Sequence, residues 1–127
     1  MKAVNKNRPV NLDLKTINLP LPALVSIMHR ASGVMIFFSI PILLGILSCS
    51  LESESSFNEL KDTLDGFFVT MVVWGAVGAL LYHLVAGVKH LIMDFGIGET
   101  LEGGLMGAKI TIALAAVFII FMGVWLW

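Results

Sequence analysis

The chain has 127 residues, of which 57% are hydrophobic and 13% are charged, and its mean hydropathy is +0.92. Soluble domains carry about 25% charged residues, so this composition excludes an ordinary soluble domain, which would lack the polar surface to cover its core. The net charge of −1 comes without a basic tract that contains interleaved aromatic residues, so no nucleic-acid partner is expected. The composition indicates a protein surrounded by membrane lipid.

Three long apolar runs, each uncharged across its central part, follow a polar N-terminal arm. A helix needs about 20 predominantly apolar residues to cross the hydrocarbon core of a membrane. The sequence therefore predicts an all-α integral membrane protein with three transmembrane helices. The predicted segments are a cytoplasmic arm at 1–22, the first span at 23–50, an acidic outer polar loop at 51–65, the second span at 66–93, a Gly-rich cytoplasmic loop at 94–106 and the third span at 107–127.

The basic residues predict how the spans are oriented. Every lysine and arginine except Lys61 precedes or opens the first span, or flanks the second connection. The positive-inside rule then places the N-terminus in the cytoplasm and the C-terminus in the periplasm. The arm has neither a cleavage site nor the Arg- and Ser-rich character of a transit peptide. We therefore expect a bacterial cell inner membrane, with an already processed organellar chain as the alternative.

The histidines lie within or at the ends of apolar spans, where ionisable residues are costly. At 100° per residue, one face of the second span carries His83, Gly87, His90 and Asp94. The other side chains on this face are small. Such a face allows either tight helix packing with hydrogen-bonded histidines or a haem beside an imidazole. His83 lies deeper and is the better haem ligand, while His90, about 10 Å further along the helix, suits a propionate. The iron would need its other ligand from another subunit.

A second polar face opens the first span, where Ser26, His29, Arg30 and Gly33 recur at helical spacing. The guanidinium of Arg30 and the imidazole of His29 could hold an anion such as a haem propionate. Together with the Ser26 hydroxyl, they could also hydrogen-bond a quinone carbonyl. Alternatively, Arg30 only extends to the interface and marks the inner boundary of the span. Asp94 either caps the second span or pairs with a cation on a soluble subunit.

Two motifs resemble signatures of the cytochrome b556/b560 membrane-anchor family of succinate dehydrogenase (complex II). The first motif, similar to the family's RP…SxxHRxSG, is Arg8-Pro9-Val10 followed by SIMHRASG at 26–33. The second, similar to HxxxGxRHxxxD, is HLVAGVKHLIMD at 83–94. The resemblance covers nearly the whole chain. It departs from the family pattern at Lys89, where arginine is usual, so that positive charge is kept while bidentate hydrogen bonding is lost.

The resemblance implies a haem b- and quinone-binding subunit of succinate:quinone oxidoreductase, catalytic only within its complex. Such a subunit passes electrons from an iron–sulfur subunit to ubiquinone, in the tricarboxylic acid cycle and respiratory chain, while a flavoprotein subunit oxidises succinate. It implies that a second three-helix anchor subunit shares the haem, with His83 as one axial ligand of the iron. The remaining roles that it implies are quinone binding for Ser26, Ile27 and Arg30, propionate contacts for His29, Arg30 and His90, and a subunit interface or proton path for Asp94.

Three alternatives remain open from the sequence. The chain could anchor another quinone-linked enzyme, such as a fumarate reductase or a hydrogenase. It could be a structural membrane protein whose histidines only pack. A small ion channel is the third alternative, which the lack of a repeated polar stripe through all three spans disfavours.

Overall fold

The computed structural model describes residues 16–127. Most of the N-terminal arm, including the Arg8-Pro9-Val10 motif, therefore lies outside the described residues. Three helices are long and apolar enough to cross a membrane, which confirms the predicted all-α membrane fold with three spans. The helices are α1 (Leu21–Glu52), α2 (Glu54–Leu64), α3 (Phe67–Asp94) and α4 (Leu101–Leu126), of which α1, α3 and α4 are the spans.

Two prolines shape α1 in different ways. Pro22 lies in the first turn, where the backbone N–H that proline lacks has no intrahelical partner to lose. Pro41 lies inside α1, and the helix continues past it to Glu52. A membrane helix tolerates such an interior proline because neighbouring groups compensate for the freed carbonyl.

The acidic connection at 51–65, predicted as a loop, contains the helix α2. Its first turn is capped by Ser53, whose hydroxyl accepts a hydrogen bond from the backbone N–H of Ser56 at 3.0 Å. Glu54 in the first turn and Lys61 in the last turn both suit the helix dipole. Local capping and charge placement thus make a helix of a segment whose acidic, Ser-rich composition alone indicated a loop.

A compact glycine turn joins α3 to α4. Gly96 and Gly98 have φ values of 80° and 79°, which favour glycine, and the Gly96 N–H donates to the Met93 carbonyl at 2.8 Å. A Cβ added at Gly103 would lie only 2.7 Å from the Cα of Gly98, so the two backbones touch. The Thr100 hydroxyl accepts from the Gly103 N–H at 3.1 Å. This cap starts α4 at Leu101, inside the segment predicted as a loop.

Small residues line the contacts between the spans. The buried positions of α4 follow helical spacing and lie on one face, while its large side chains are mostly exposed, as expected of a surface against lipid. In lipid, where burial from water does not drive helix association, small side chains favour packing because they let backbones approach closely. The buried residues of α4 are Gly104, Ala108, Thr111 and Ala115.

Among the side-chain hydrogen bonds of α3, two reach backbone carbonyls of the neighbouring spans on either side. The Tyr82 hydroxyl donates to the Val25 carbonyl of α1 at 3.0 Å, and the Trp74 indole N–H donates to the Ile119 carbonyl of α4 at 3.0 Å. Because they reach backbone atoms on opposite neighbours, these bonds fix the rotation and depth of α3 between α1 and α4. The histidines carried by α3 are thereby held in place.

We expect Ala108→Leu to destabilise the bundle, because Ala108 is fully buried and the larger side chain would force the helices apart. Overpacking of this kind costs about 1–3 kcal/mol. Ala113→Leu is the matched control, since Ala113 lies on an exposed part of α4. Resistance of the purified complex to denaturing detergent would measure the difference. Equal resistance of the two variants would show that α4 does not pack through this face.

Candidate functional site

Three imidazoles gather near one end of the bundle. The ring of His29 on α1 stacks on the ring of His83 on α3, with centroids 4.0 Å apart and planes inclined by 19°. The ring of His90 lies 5.2 Å from that of His29 at 47°. The histidine face predicted for the second span is therefore turned toward α1 at this level. The sequence placed His29 at the mouth of the first span, and the structure adds that its ring covers His83.

Two glycines make room for these rings. A Cβ added at Gly33 of α1 would lie 3.0 Å from Cε1 of His83. A Cβ added at Gly87 of α3 would lie 3.5 Å from Nε2 of His29. Each glycine thus lies against an imidazole of the opposite helix. A side chain at Gly33 would push the His83 ring out of its present position.

Hydrogen-bond partners favour one tautomer of a neutral His83 ring. Its Nδ1 lies 3.0 Å from the His29 carbonyl oxygen and 3.1 Å from the Ser32 hydroxyl, which itself donates to the same carbonyl at 2.7 Å. A carbonyl oxygen can only accept, so the hydrogen of a neutral His83 ring belongs on Nδ1. The lone pair is then on Nε2. This is the tautomer and the orientation in which histidine ligates a metal.

His29 contributes an unpaired polar atom. Its Nε2 is buried and has no hydrogen-bond partner among residues 16–127. Buried polar atoms in proteins are nearly always hydrogen-bonded, so an exception calls for an explanation. An added polar group, such as a carboxylate, would satisfy this nitrogen.

Ser26, Ile27 and Arg30 lie along α1 before the imidazoles. Ser26 is half-buried, whereas Ile27 and Arg30 are exposed. Ser26 and Arg30 are one helical turn apart, so their side chains share a face. In the described part of the chain, neither the Ser26 hydroxyl nor the Arg30 guanidinium has a hydrogen-bond or ion-pair partner. Both polar groups are free to contact an added molecule.

Asp94 is the last residue of α3 and is exposed. It shares the end of the bundle with His90, which lies one turn before it. Within residues 16–127 no ion pair involves its carboxylate. Its position suits either of its predicted roles, at a subunit interface or on a proton path.

The role of Ser32 is not evident from the sequence motif. Ser32 is 5% exposed and holds both the His29 carbonyl and the His83 ring. In the sequence, Ser32 is only one position of the SIMHRASG motif at 26–33. The available signal was a small polar residue three positions after His29, where its hydroxyl can reach back to the carbonyl of the preceding turn.

The fold and the site together define a class of protein. It is an apolar membrane subunit with three spans and an imidazole cluster near one end. A family model described as "Succinate dehydrogenase/Fumarate reductase transmembrane subunit" matches residues 4–122. The chain belongs to this family, which confirms the resemblance read from the motifs and makes the chain part of an enzyme complex.

Similar relatives cover most of the chain. The succinate dehydrogenase cytochrome b556 subunit of Coxiella burnetii is 36% identical over 98% of this chain and 100% of its own length. The subunit of the same name from Paracoccus denitrificans is 32% identical over 89% of this chain and 88% of its own length. The succinate dehydrogenase cytochrome b560 subunit of Reclinomonas americana is 28% identical over 91% of this chain and 83% of its own length. The similarity therefore extends over all three spans.

Proposed function

We propose that the chain is the haem b- and quinone-binding anchor of succinate dehydrogenase, which passes electrons from the iron–sulfur subunit to ubiquinone. The names of its relatives support the enzyme and the cytochrome character. The observation that carries the proposal is the hydrogen bonding of His83, whose Nδ1 faces a backbone carbonyl so that Nε2 is left as a ligand.

The residues present fit a haem group. His83 offers a ligating nitrogen, His29 has a buried nitrogen without a partner, and Gly33 leaves space beside the His83 ring. When bound, haem supplies a one-electron carrier whose potential depends on its axial ligands and their surroundings. The ring of His29 stacks on that of His83, so His29 would not supply the other ligand of the same iron. The other ligand would come from a second three-helix anchor subunit.

The surrounding groups of this chain orient His83 and bind anionic groups. Ser32 and the His29 carbonyl hold the tautomer and direction of the His83 ring. The imidazole of His29, the guanidinium of Arg30 and the imidazole of His90 would donate hydrogen bonds to the propionates. These contacts are those that the family resemblance implies. The stacking of His29 on His83 and the position of the His90 ring 5.2 Å from that of His29 support them.

A quinone would bind against the opening turns of α1. The Ser26 hydroxyl and the Arg30 guanidinium would donate hydrogen bonds to quinone oxygens, on which negative charge grows during reduction. Ile27, which is 41% exposed, would contact the apolar ring. Asp94 would lie at the contact with the soluble subunits or on the path of protons to the quinone.

The charge distribution supports the proposed orientation. Arg30, Lys89 and Lys109 lie at the end of the bundle where α1 begins, α3 ends and α4 begins, whereas Lys61 lies on α2 at the opposite end. The end that carries the three basic residues would face the cytoplasm of a bacterial cell, and the C-terminus would face the periplasm.

His83→Ala should abolish the low-spin, bis-imidazole spectrum of the haem, because it removes one axial ligand. The reduced-minus-oxidised spectrum of the purified complex is the measurement. His90→Ala is the control, since His90 is not assigned to the iron and its loss should leave the spectrum low-spin. An unchanged spectrum in His83→Ala would overturn the ligand assignment.

Ser32→Ala should weaken haem retention by about tenfold, the lower end of the effect of groups that orient a metal ligand. It should also shift the reduction potential, because the hydrogen bonding of Nδ1 tunes the basicity of the His83 ring as a ligand. Ser32→Thr restores the hydroxyl and should restore both properties. The control is Ser39→Ala, which removes a serine hydroxyl bonded only to Met35 of the same helix. If Ser39→Ala has the same effect as Ser32→Ala, Ser32 has no orienting role.

Ser26→Ala should slow quinone reduction by about tenfold, since a hydrogen bond contributes up to about 1.5 kcal/mol. Arg30→Gln should slow it further, because a charged donor is lost. Succinate oxidation by an artificial soluble acceptor should stay near the wild-type rate in both variants. Equal losses in the two assays would indicate misassembly and would argue against a quinone site at these residues.

A further inference from the structure

An apolar groove of about 510 Å³ runs between α3 and α4. Its volume is in the range of small-molecule sites, about 300–1,000 Å³. The backbone contact between Gly98 and Gly103 lies at the end of the groove where the turn joins α3 to α4. The main side chains of its walls are Leu84, Val88 and Ile92 of α3, with Ile110, Leu114 and Phe118 of α4.

Lys89 is the charged residue of this groove. Its stem lies against Gly107, where an added Cβ would be 3.7 Å from Cγ and 3.5 Å from Cε of the lysine. Within residues 16–127 no ion pair involves its ammonium group. Lys89 belongs to the basic end of the bundle, where an ammonium group near the membrane surface attracts anionic lipid headgroups.

The groove lies on the side of α3 opposite to the histidine face. At 100° per residue, Val88 and Ile92 project about 140° and 180° away from His83. A second anchor that ligates the iron would approach from the His83 side and not through the groove. This step rests on the proposed function.

The part of the groove that runs from Lys89 toward the middle of α4 has a length that suits one lipid chain. From Gly107, beside Lys89, to Phe118 the rise along α4 is about 16 Å. One leaflet provides about 15 Å of hydrocarbon, half of a core of about 30 Å. An acyl chain that starts near Lys89 would therefore end close to the membrane centre.

We propose that this groove binds an anionic phospholipid, with one acyl chain between α3 and α4 and the phosphate paired with Lys89. The apolar walls provide the contact area, and the lysine selects lipids with a net negative charge over zwitterionic ones. Basic residues near a membrane surface attract anionic lipid by about 1 kcal/mol each, a factor of about five in affinity.

The test is native mass spectrometry of the purified complex, titrated with phosphatidylglycerol or phosphatidylcholine. Lys89→Gln should weaken binding of phosphatidylglycerol about fivefold and leave binding of phosphatidylcholine unchanged. Lys109→Gln is the matched control, because Lys109 is an exposed lysine of α4 outside the groove. Equal retention of phosphatidylglycerol by Lys89→Gln and wild type would overturn the proposal.

A second pair of variants tests the groove itself. Ile110→Trp should fill it and remove the bound lipid, whereas Ile112→Trp, on another face of α4, should not. Dissociation of another subunit by Ile110→Trp, or a raised KM for long-tailed but not short-tailed quinones, would assign the groove to a different occupant and overturn the proposal. Haem spectra of the same samples report separately on the proposed function.

Discussion

The close approach of α3 to α1 and α4 is the constraint on which the rest of the structure depends. Burial from water does not hold membrane helices together, so close packing and interhelical hydrogen bonds have to do so. Small residues on α4 allow the approach, and Tyr82 and Trp74 fix α3 through backbone carbonyls of its two neighbours. If α3 rotated by one residue, these bonds would break and His83 would turn about 100° away from α1.

The sequence predicts the spans well because their signal is the length of uncharged, apolar chain, which does not depend on packing. It predicts the polar connections less well. The helix α2 and the early start of α4 depend on Ser53 and Thr100, whose hydroxyls accept single hydrogen bonds from the next turn. Composition describes these segments as acidic or Gly-rich, but it does not show where a capping side chain begins a helix.

The candidate site shows where sequence reasoning ends. Helical periodicity places His83 and His90 on one face, since both belong to one helix. It does not place His29 against them, because that contact depends on the relative depth and rotation of α1 and α3. The two interpretations of the histidine face, tight packing and a haem ligand, are also compatible. One hydrogen bond, from His83 to the His29 carbonyl, both joins the helices and leaves the lone pair of Nε2 without a partner in this bond.

The departure from the family motif at Lys89 is consistent with this division of α3 into two faces. Lys89 lines the groove with α4, away from the histidine face, so the proposed haem and quinone contacts do not need a guanidinium there. Its methylene stem lies over Gly107, which offers no side chain to obstruct it. An ammonium group at the end of a flexible stem can follow a lipid phosphate whose position varies, whereas a planar guanidinium binds best to a partner in a fixed orientation. With the proposed lipid as its partner, the ammonium group of lysine would suffice at this position.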